Sequence, residues 1–265
     1  MNFITLMCVM LAQFGSSKMN NYTNDNGVFS TVTVKCTQWG HTIPAILYRP
    51  ETIMPRGKKY PLIIAFHGKS LAKKDTDKLY NTGILQQLKA GKKIEAMHPT
   101  EHELYKFMVL APHANDWSIK PEDLEYILDD VIRKYPMIDT TRIYVTGYSA
   151  GGWGTVMAIT HSRHLSSRIA AAVPMSPAPI DEANLHNFKM TAESGLHAWY
   201  FAGTSEGLFY ESTARYVDST NKYNKGMARF TRHDGGHCCW AQFYDPAYRE
   251  GGMNIYEWML LFRRK

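Results

Sequence analysis

Apolar and polar positions along the chain fall into two kinds of segment that alternate. Val28 to Lys35 switches between apolar and polar at every step, as a strand with one face in solvent does, and His41 to Arg49 reads as its antiparallel partner. Tyr60-Pro61-Leu62-Ile63-Ile64-Ala65-Phe66 is continuously apolar and stops at His67-Gly68, the pattern of a strand buried on both faces of a parallel sheet. Phe107 to Pro112, Arg142 to Thr146, Ile169 to Met175 and Ala198 to Ala202 repeat that pattern, and Ala228 to Thr231 closes the series. Helical periods come between them. The clearest opens at Pro121, with Glu122 and Asp123 in a first turn whose dipole favours acid. Leu124, Ile127, Leu128, Val131 and Ile132 then share one face, and Pro136 ends the run. Further helices are expected near Leu79 to Lys89, from Trp153 and from Asn254 to Arg263. Strands alternating with helices predict an α/β architecture, a mostly parallel central sheet with helices on both faces and an antiparallel amino-terminal hairpin. No repeat, linker or low-complexity stretch divides residues 28–265, which read as a single domain.

Residues 1–27 stand apart as a leader and a polar lead-in. Phe3 to Ala12 is mostly apolar and Gly15-Ser16-Ser17 follows, like the core and cleavage region of a signal peptide, although no Lys or Arg precedes the run. The run is too short to span a bilayer. A secreted or periplasmic location is expected, with the cytoplasm as the alternative. The net charge of +6 comes from scattered pairs, Lys58-Lys59, Lys73-Lys74, Lys92-Lys93 and Arg263-Arg264, with acidic residues between them. That is a solvated surface rather than the continuous basic stripe of a nucleic-acid binder. The cysteines are Cys8, Cys36, Cys238 and Cys239, and the absence of a C-x-x-C pair argues against structural zinc. Adjacent Cys238 and Cys239 are not expected to bridge each other readily; Cys36 with one of them is the other pairing.

Chemistry concentrates in Gly147-Tyr148-Ser149-Ala150-Gly151, a G-x-S-x-G pentapeptide between the Arg142 strand and the helix containing Trp153. A serine on such a strand-to-helix turn lifts its hydroxyl above the carboxyl edge of the sheet. A hydroxyl is a weak nucleophile at neutral pH and needs a base, itself oriented by a carboxylate. His237, in the glycine-rich Asp234-Gly235-Gly236-His237 loop after the last strand, is the leading base, and His233 is the alternative. His161, His164 and His197 lie on or at the start of regular elements that point elsewhere. Glu206, in the loop after the Ala198 strand, is the leading acid; Asp181 is the runner-up, ahead of Asp218 and Asp234. Oxyanion donors are expected from Ala150 and from the loop at Gly68-Lys69. Two other motifs compete. Gly203-Thr204-Ser205-Glu206-Gly207 also matches G-x-S-x-G, but too little chain follows it to supply an acid and a base in the usual order. His98-Pro99-Thr100-Glu101-His102 matches H-x-x-E-H, but it lacks the apolar helix that would carry zinc ligands.

These segments resemble the α/β-hydrolase superfamily, through Pro61 to Gly68, Met108 to Pro112, Trp117 to Tyr135, Arg142 to Thr155 and His237 to Trp240. They are most similar to its compact serine esterases: feruloyl and acetyl-xylan esterases, and polyhydroxybutyrate depolymerase-like and prolyl-oligopeptidase-like hydrolases. The resemblance implies the α/β-hydrolase fold, a triad of Ser149, Glu206 and His237, and no cofactor or metal. Two departures stand out. Lys69-Ser70 replaces the glycine-rich run that many relatives carry after His-Gly, and the acid is a glutamate. The short stretch between the Ile169 and Ala198 strands leaves no room for a separate cap domain. An open cleft suits carbohydrate-linked or small soluble esters of acetyl or feruloyl type, with Tyr148, Trp117 and Trp240 as binding residues and Phe209 and Tyr210 nearby. Peptide or lipid-ester hydrolysis on the same fold is the alternative, and a non-catalytic binding module is a more distant one. Sequence leaves the oligomeric state open.

Overall fold

The fold is given by a computed structural model that describes residues 21–24, 26–51 and 57–265. The expected leader, with Phe3 to Ala12, Gly15 to Ser17 and Cys8, lies outside the described residues.

The main sheet takes, in chain order, β1 (Asn21–Asn24), β2 (Gly27–Lys35), β3 (Thr42–Pro50) and β4 (Tyr60–Phe66). A separate hairpin of β5 (Glu95–Met97) and β6 (Leu104–Lys106) intervenes. The main sheet resumes with β7 (Met108–Pro112), β8 (Ile138–Tyr148), β9 (Ala171–Met175), β10 (His197–Gly203) and β11 (Ala228–His233). The spatial order is β1-β2-β3-β7-β4-β8-β9-β10-β11. β1 to β3 are antiparallel, β3 joins β7 antiparallel, and every pairing from β7 to β11 is parallel. The amino-terminal hairpin and the parallel body are therefore one sheet, as the sequence predicts.

The helices are α1 (Gly83–Lys89), α2 (Pro121–Lys134), α3 (Ala150–Thr160), α4 (Arg163–Arg168), α5 (Glu182–Leu185), α6 (Phe188–Glu193), α7 (Leu208–Tyr223), α8 (Trp240–Phe243) and α9 (Ile255–Leu260). They divide between the two sheet faces, because side chains alternate along a strand. Leu62, Ile64 and Phe66 of β4 meet Leu124, Ile127 and Leu128 of α2, Val156 and Ile159 of α3 and Tyr216 of α7. Ile63 and Ala65 face the other way, into Ile84, Leu85 and Leu88 of α1 and Tyr256, Trp258 and Met259 of α9. This double coverage is why the central strands read as unbroken apolar runs. Each fully buried aliphatic side chain contributes about 1.5–3 kcal/mol.

Three differences from the sequence expectations have physical causes, and the H-x-x-E-H match lies in a turn without a helix, as expected. β8 begins at Ile138, four residues before the expected start, because its polar opening still pairs Ile138 with Tyr60; the register then shifts before Leu62 pairs with Ile143. α9 stops at Leu260, because the chain turns back so that the Arg264 N–H donates to the Thr141 carbonyl at 2.8 Å. α7 carries no strong apolar stripe, since its buried face is built from Ser212, Thr213, Tyr216, Val217 and Thr220. The H-x-x-E-H match forms the turn between β5 and β6. There the His98 Nδ1 accepts the N–H groups of Thr100 and Glu101 at 3.3 and 3.1 Å, so the ring serves the turn.

Candidate active site

β8 delivers the pentapeptide to the carboxyl edge of the sheet, and the chain reverses there into α3. Ser149 occupies the turn at φ 57° and ψ −120°, a left-handed conformation that a side chain disfavours. The two glycines make the reversal feasible. A Cβ on Gly147 would run into the Gly151 carbonyl, and a Cβ on Gly151 would run into the Phe66 carbonyl of β4. Ser149 Oγ is 2.9 Å from His237 Nε2, and His237 Nδ1 is 2.8 Å from Glu206 Oε2. The three groups come from the ends of β8, β10 and β11, adjacent on the carboxyl edge through β9 and β10.

Glu206 is fully enclosed: its side chain is 0% exposed, whereas that of His237 is 31% exposed. Burial pushes its carboxyl pKa up, but donors from His237, the Ser176 hydroxyl and the Gly203 N–H outweigh burial and hold it below the usual carboxylate value. Oε1 accepts from Ser176 Oγ at 2.7 Å and Gly203 N at 2.5 Å. The carboxylate is thus ionised and fixed, able to hold His237 in one tautomer with Nε2 facing the serine. His233, the alternative base, has Nε2 3.9 Å from Glu206 Oε1, and no contact joins it to Ser149. Asp181 stands at the exposed N-terminus of α5, and Asp218 and Asp234 are also exposed. Glu206 is the acid that reaches His237.

The second G-x-S-x-G match folds into a related turn with a different occupant. Gly207, not Ser205, adopts φ 57° and ψ −120° at the start of α7. Ser205 is exposed and its N–H goes to the Gly235 carbonyl at 2.9 Å, which ties the Glu206 loop to the His237 loop.

The loop after β4 is pinned by His67. The Ala114 N–H donates to His67 Nε2 at 2.9 Å, so Nδ1 carries the proton and donates to the Gly68 carbonyl at 2.8 Å. Burial lowers the His67 pKa and keeps the ring neutral. The Gly68 carbonyl also accepts the Leu71 N–H, which fixes the peptide plane that carries the Lys69 N–H. Gly68 lies against the Tyr148 ring, where a Cβ would come within 2.6 Å of Cε2. Ala150 is the first residue of α3, so its N–H belongs to the unpaired set at a helix N-terminus.

The aromatic residues expected in the cleft divide into two groups. Trp117 is half-buried, with Lys69 Nζ 5.2 Å from its ring centroid beside the Gly68 loop. Tyr148 is only 5% exposed, lies 4.7 Å from the Trp240 ring in a stacked pair, and accepts from Thr82 Oγ1 at 2.8 Å. Trp240 is half-buried and gives its Nε1–H to Ser176 Oγ at 3.0 Å. These two rings therefore support the site from beneath rather than form its open wall. On the open side, Phe209 sits 4.1 Å from the His237 ring and Leu208 is 61% exposed. Ser176, whose contacts are distant in the chain, and the exposed Leu208 carry no signal in the sequence.

The cysteines correct an expectation. Cys238 and Cys239 are bridged to each other directly after His237. Cys36 is a buried free thiol at the end of β2, packed among the residues under α2, far along the sheet from the His237 loop. Among the described residues, separation across the sheet from Cys36 leaves the adjacent pair only each other.

Solved structures share this arrangement of strands and helices. A thermostable esterase superposes with a TM-score of 0.61 at 22% identity, covering 89% of this chain and 63% of its own. A ferulic acid esterase gives 0.59 at 14% identity, covering 84% and 95%. An acylaminoacyl peptidase from Pyrococcus horikoshii gives 0.58 at 12% identity, covering 89% and 44%. This chain thus spans less than two thirds of the thermostable esterase and under half of the peptidase. No protein-family model and no curated protein matches the chain. The likeness shows the fold, which is that of the α/β-hydrolases.

Proposed function

From an α/β-hydrolase fold carrying this site, we propose that the protein is a serine hydrolase that cleaves carboxylic esters through an acyl-enzyme. The observation that carries the reading is the hydrogen-bonded line from Ser149 Oγ through His237 to the buried Glu206 carboxylate. Ser149 Oγ attacks the ester carbonyl while His237 Nε2 takes its proton. Glu206 stabilises the resulting imidazolium and stays ionised. The amides of Ala150 and Lys69 hold the oxyanion, and Gly68 gives that loop its close approach to Tyr148. His237 then passes the proton to the departing alcohol. Water, deprotonated by the same imidazole, attacks the acyl-serine, and release of the acid restores the hydroxyl.

The substrate class is a carbohydrate-linked or small soluble ester of acetyl or feruloyl type. Residues 176–196 hold only the short helices α5 and α6, and α6 packs against α7, which supports a cleft without a large cap. Trp117 on one side and Leu208 with Phe209 on the other offer flat and apolar surfaces to an aromatic acyl group. The Cys238–Cys239 bridge supports an oxidising, exported location. Among the described residues, no helix is long and apolar enough to cross a membrane.

A fluorophosphonate probe tests the chemistry. Mass spectrometry should find the adduct on Ser149, and Ser149→Ala should abolish hydrolysis of p-nitrophenyl acetate. Adduct-free folded protein, or activity that survives the substitution, would sink the reading. A panel of acetyl, feruloyl, lipid and peptide substrates assigns the acyl group, and a preference for peptides would overturn the ester assignment.

A further inference from the structure

Ser176 is an unusual place for a serine. It follows β9, is 0% exposed and has φ 43°, in the left-handed region where glycine is at ease and a side chain is not. Its backbone N–H donates to the Phe201 carbonyl at 2.7 Å. Its hydroxyl sits between two partners, Trp240 Nε1 at 3.0 Å and Glu206 Oε1 at 2.7 Å. Chemistry dictates the direction of these bonds. An indole N–H can only donate, so Ser176 Oγ accepts from Trp240 and its single proton goes to Glu206. Trp240 has two further ties: its ring stacks on Tyr148, the neighbour of Ser149, and meets the His237 ring edge-on at 4.9 Å. One indole thus touches the nucleophile's strand and the base, and reaches the acid through one hydroxyl.

We infer that Ser176 and Trp240 form a positioning pair, in which the Trp240 indole aims the Ser176 hydroxyl at Glu206 Oε1 and leaves Oε2 to His237. The inference rests on the triad reading of Ser149, His237 and Glu206. Without the pair, the carboxylate loses a donor and part of its orientation, while its Gly203 N–H bond remains. The charged or titratable groups facing the carboxylate are His237 at 2.8 Å and His233 at 3.9 Å, and neither supplies a replacement donor to Oε1 within hydrogen-bond distance.

Two variants test this in the full chain. Ser176→Gly removes the hydroxyl at a backbone conformation that glycine prefers, so the fold is retained. Trp240→Phe keeps an aromatic ring beside Tyr148 and His237 and removes the N–H together with part of the indole's area. Loss of one hydrogen bond to a charged group predicts a kcat roughly 10- to 100-fold lower for Ser176→Gly, with KM little changed. Trp240→Phe should lose less. The double variant should lose clearly less than the two single losses together, because the indole N–H acts on the carboxylate through the hydroxyl. A carboxylate with one donor fewer is more basic and holds protonated His237 more tightly. The acid limb of the kcat/KM profile should therefore move to higher pH in both single variants, a shift that general loosening of the loop would not produce. Additive losses, or an unmoved acid limb in folded variants that still take the fluorophosphonate on Ser149, would overturn the pairing and leave the triad standing. A wild-type protein that fails to label would overturn the triad, and the pairing with it.

Discussion

Glu206 concentrates the energetics of the site in one side chain. It is buried yet ionised, so its contribution to folding has a definite pH signature. Its native pKa lies below the ordinary value of 4.5. The native state therefore binds fewer protons than the unfolded chain through that range. This stabilisation is complete above pH 4.5 and is lost as pH falls through the lower native pKa. Urea titrations across roughly pH 3 to 6 should show wild type losing stability in acid more steeply than Glu206→Gln. Parallel slopes would count against an ionised, clamped carboxylate. The same substitution removes the charge that holds His237, and a loss of roughly 10^3- to 10^4-fold in kcat is expected with Ser149 still in place. Ser149, Glu206 and His237 were legible because each follows a readable strand, and loops at strand ends carry chemistry. Ser176 was not, because its meaning comes from an indole 64 residues away.

At the level of elements, the tightest constraint is the crossing of the serine turn over the end of β4. Gly151→Ala drives a methyl into the Phe66 backbone, which cannot move without disturbing β4. A loss of at least about 1–3 kcal/mol is expected in chemical denaturation, together with loss of activity. A second constraint lies under α2, where Asp130 has only 2% of its side chain exposed. Burial raises its pKa, but Lys134, the Lys35 N–H and Arg133 more than reverse this, so the group is an anion that ties the helix to β2. Asp130→Ala leaves the Lys35 N–H unpaired and should lower stability by about 1–3 kcal/mol without changing KM. α2 itself was readable from its apolar stripe, and the central strands from their unbroken apolar runs. α7 escaped because threonine and tyrosine make up most of its buried face, and the β5–β6 hairpin because it pairs only with itself.

Across the whole molecule, the carboxyl terminus closes the parallel body. The Arg264 guanidinium donates to the carbonyls of Ser166, Ile169 and Ser194 at 2.5, 2.6 and 2.6 Å, which joins the end of α4 to the segment leading into β10. Arg264→Ala should lower the thermal midpoint by several degrees, in line with a loss of about 2–3 kcal/mol, while the Ser149 probe still labels the folded protein. Charged carboxyl-terminal residues look like a solvated tail in sequence, and only the folded neighbourhood reveals this tie. The chain also builds one backbone turn twice, before α3 and before α7, with identical dihedrals. Glycine fills the second turn and serine the first. The relief of strain on replacing Ser149 by glycine, partly offset by the greater freedom of the unfolded chain, comes to about 1 kcal/mol. A lineage selected only for endurance at high temperature would therefore drift toward glycine at position 149. On the proposed function, serine persists there only while turnover is itself under selection.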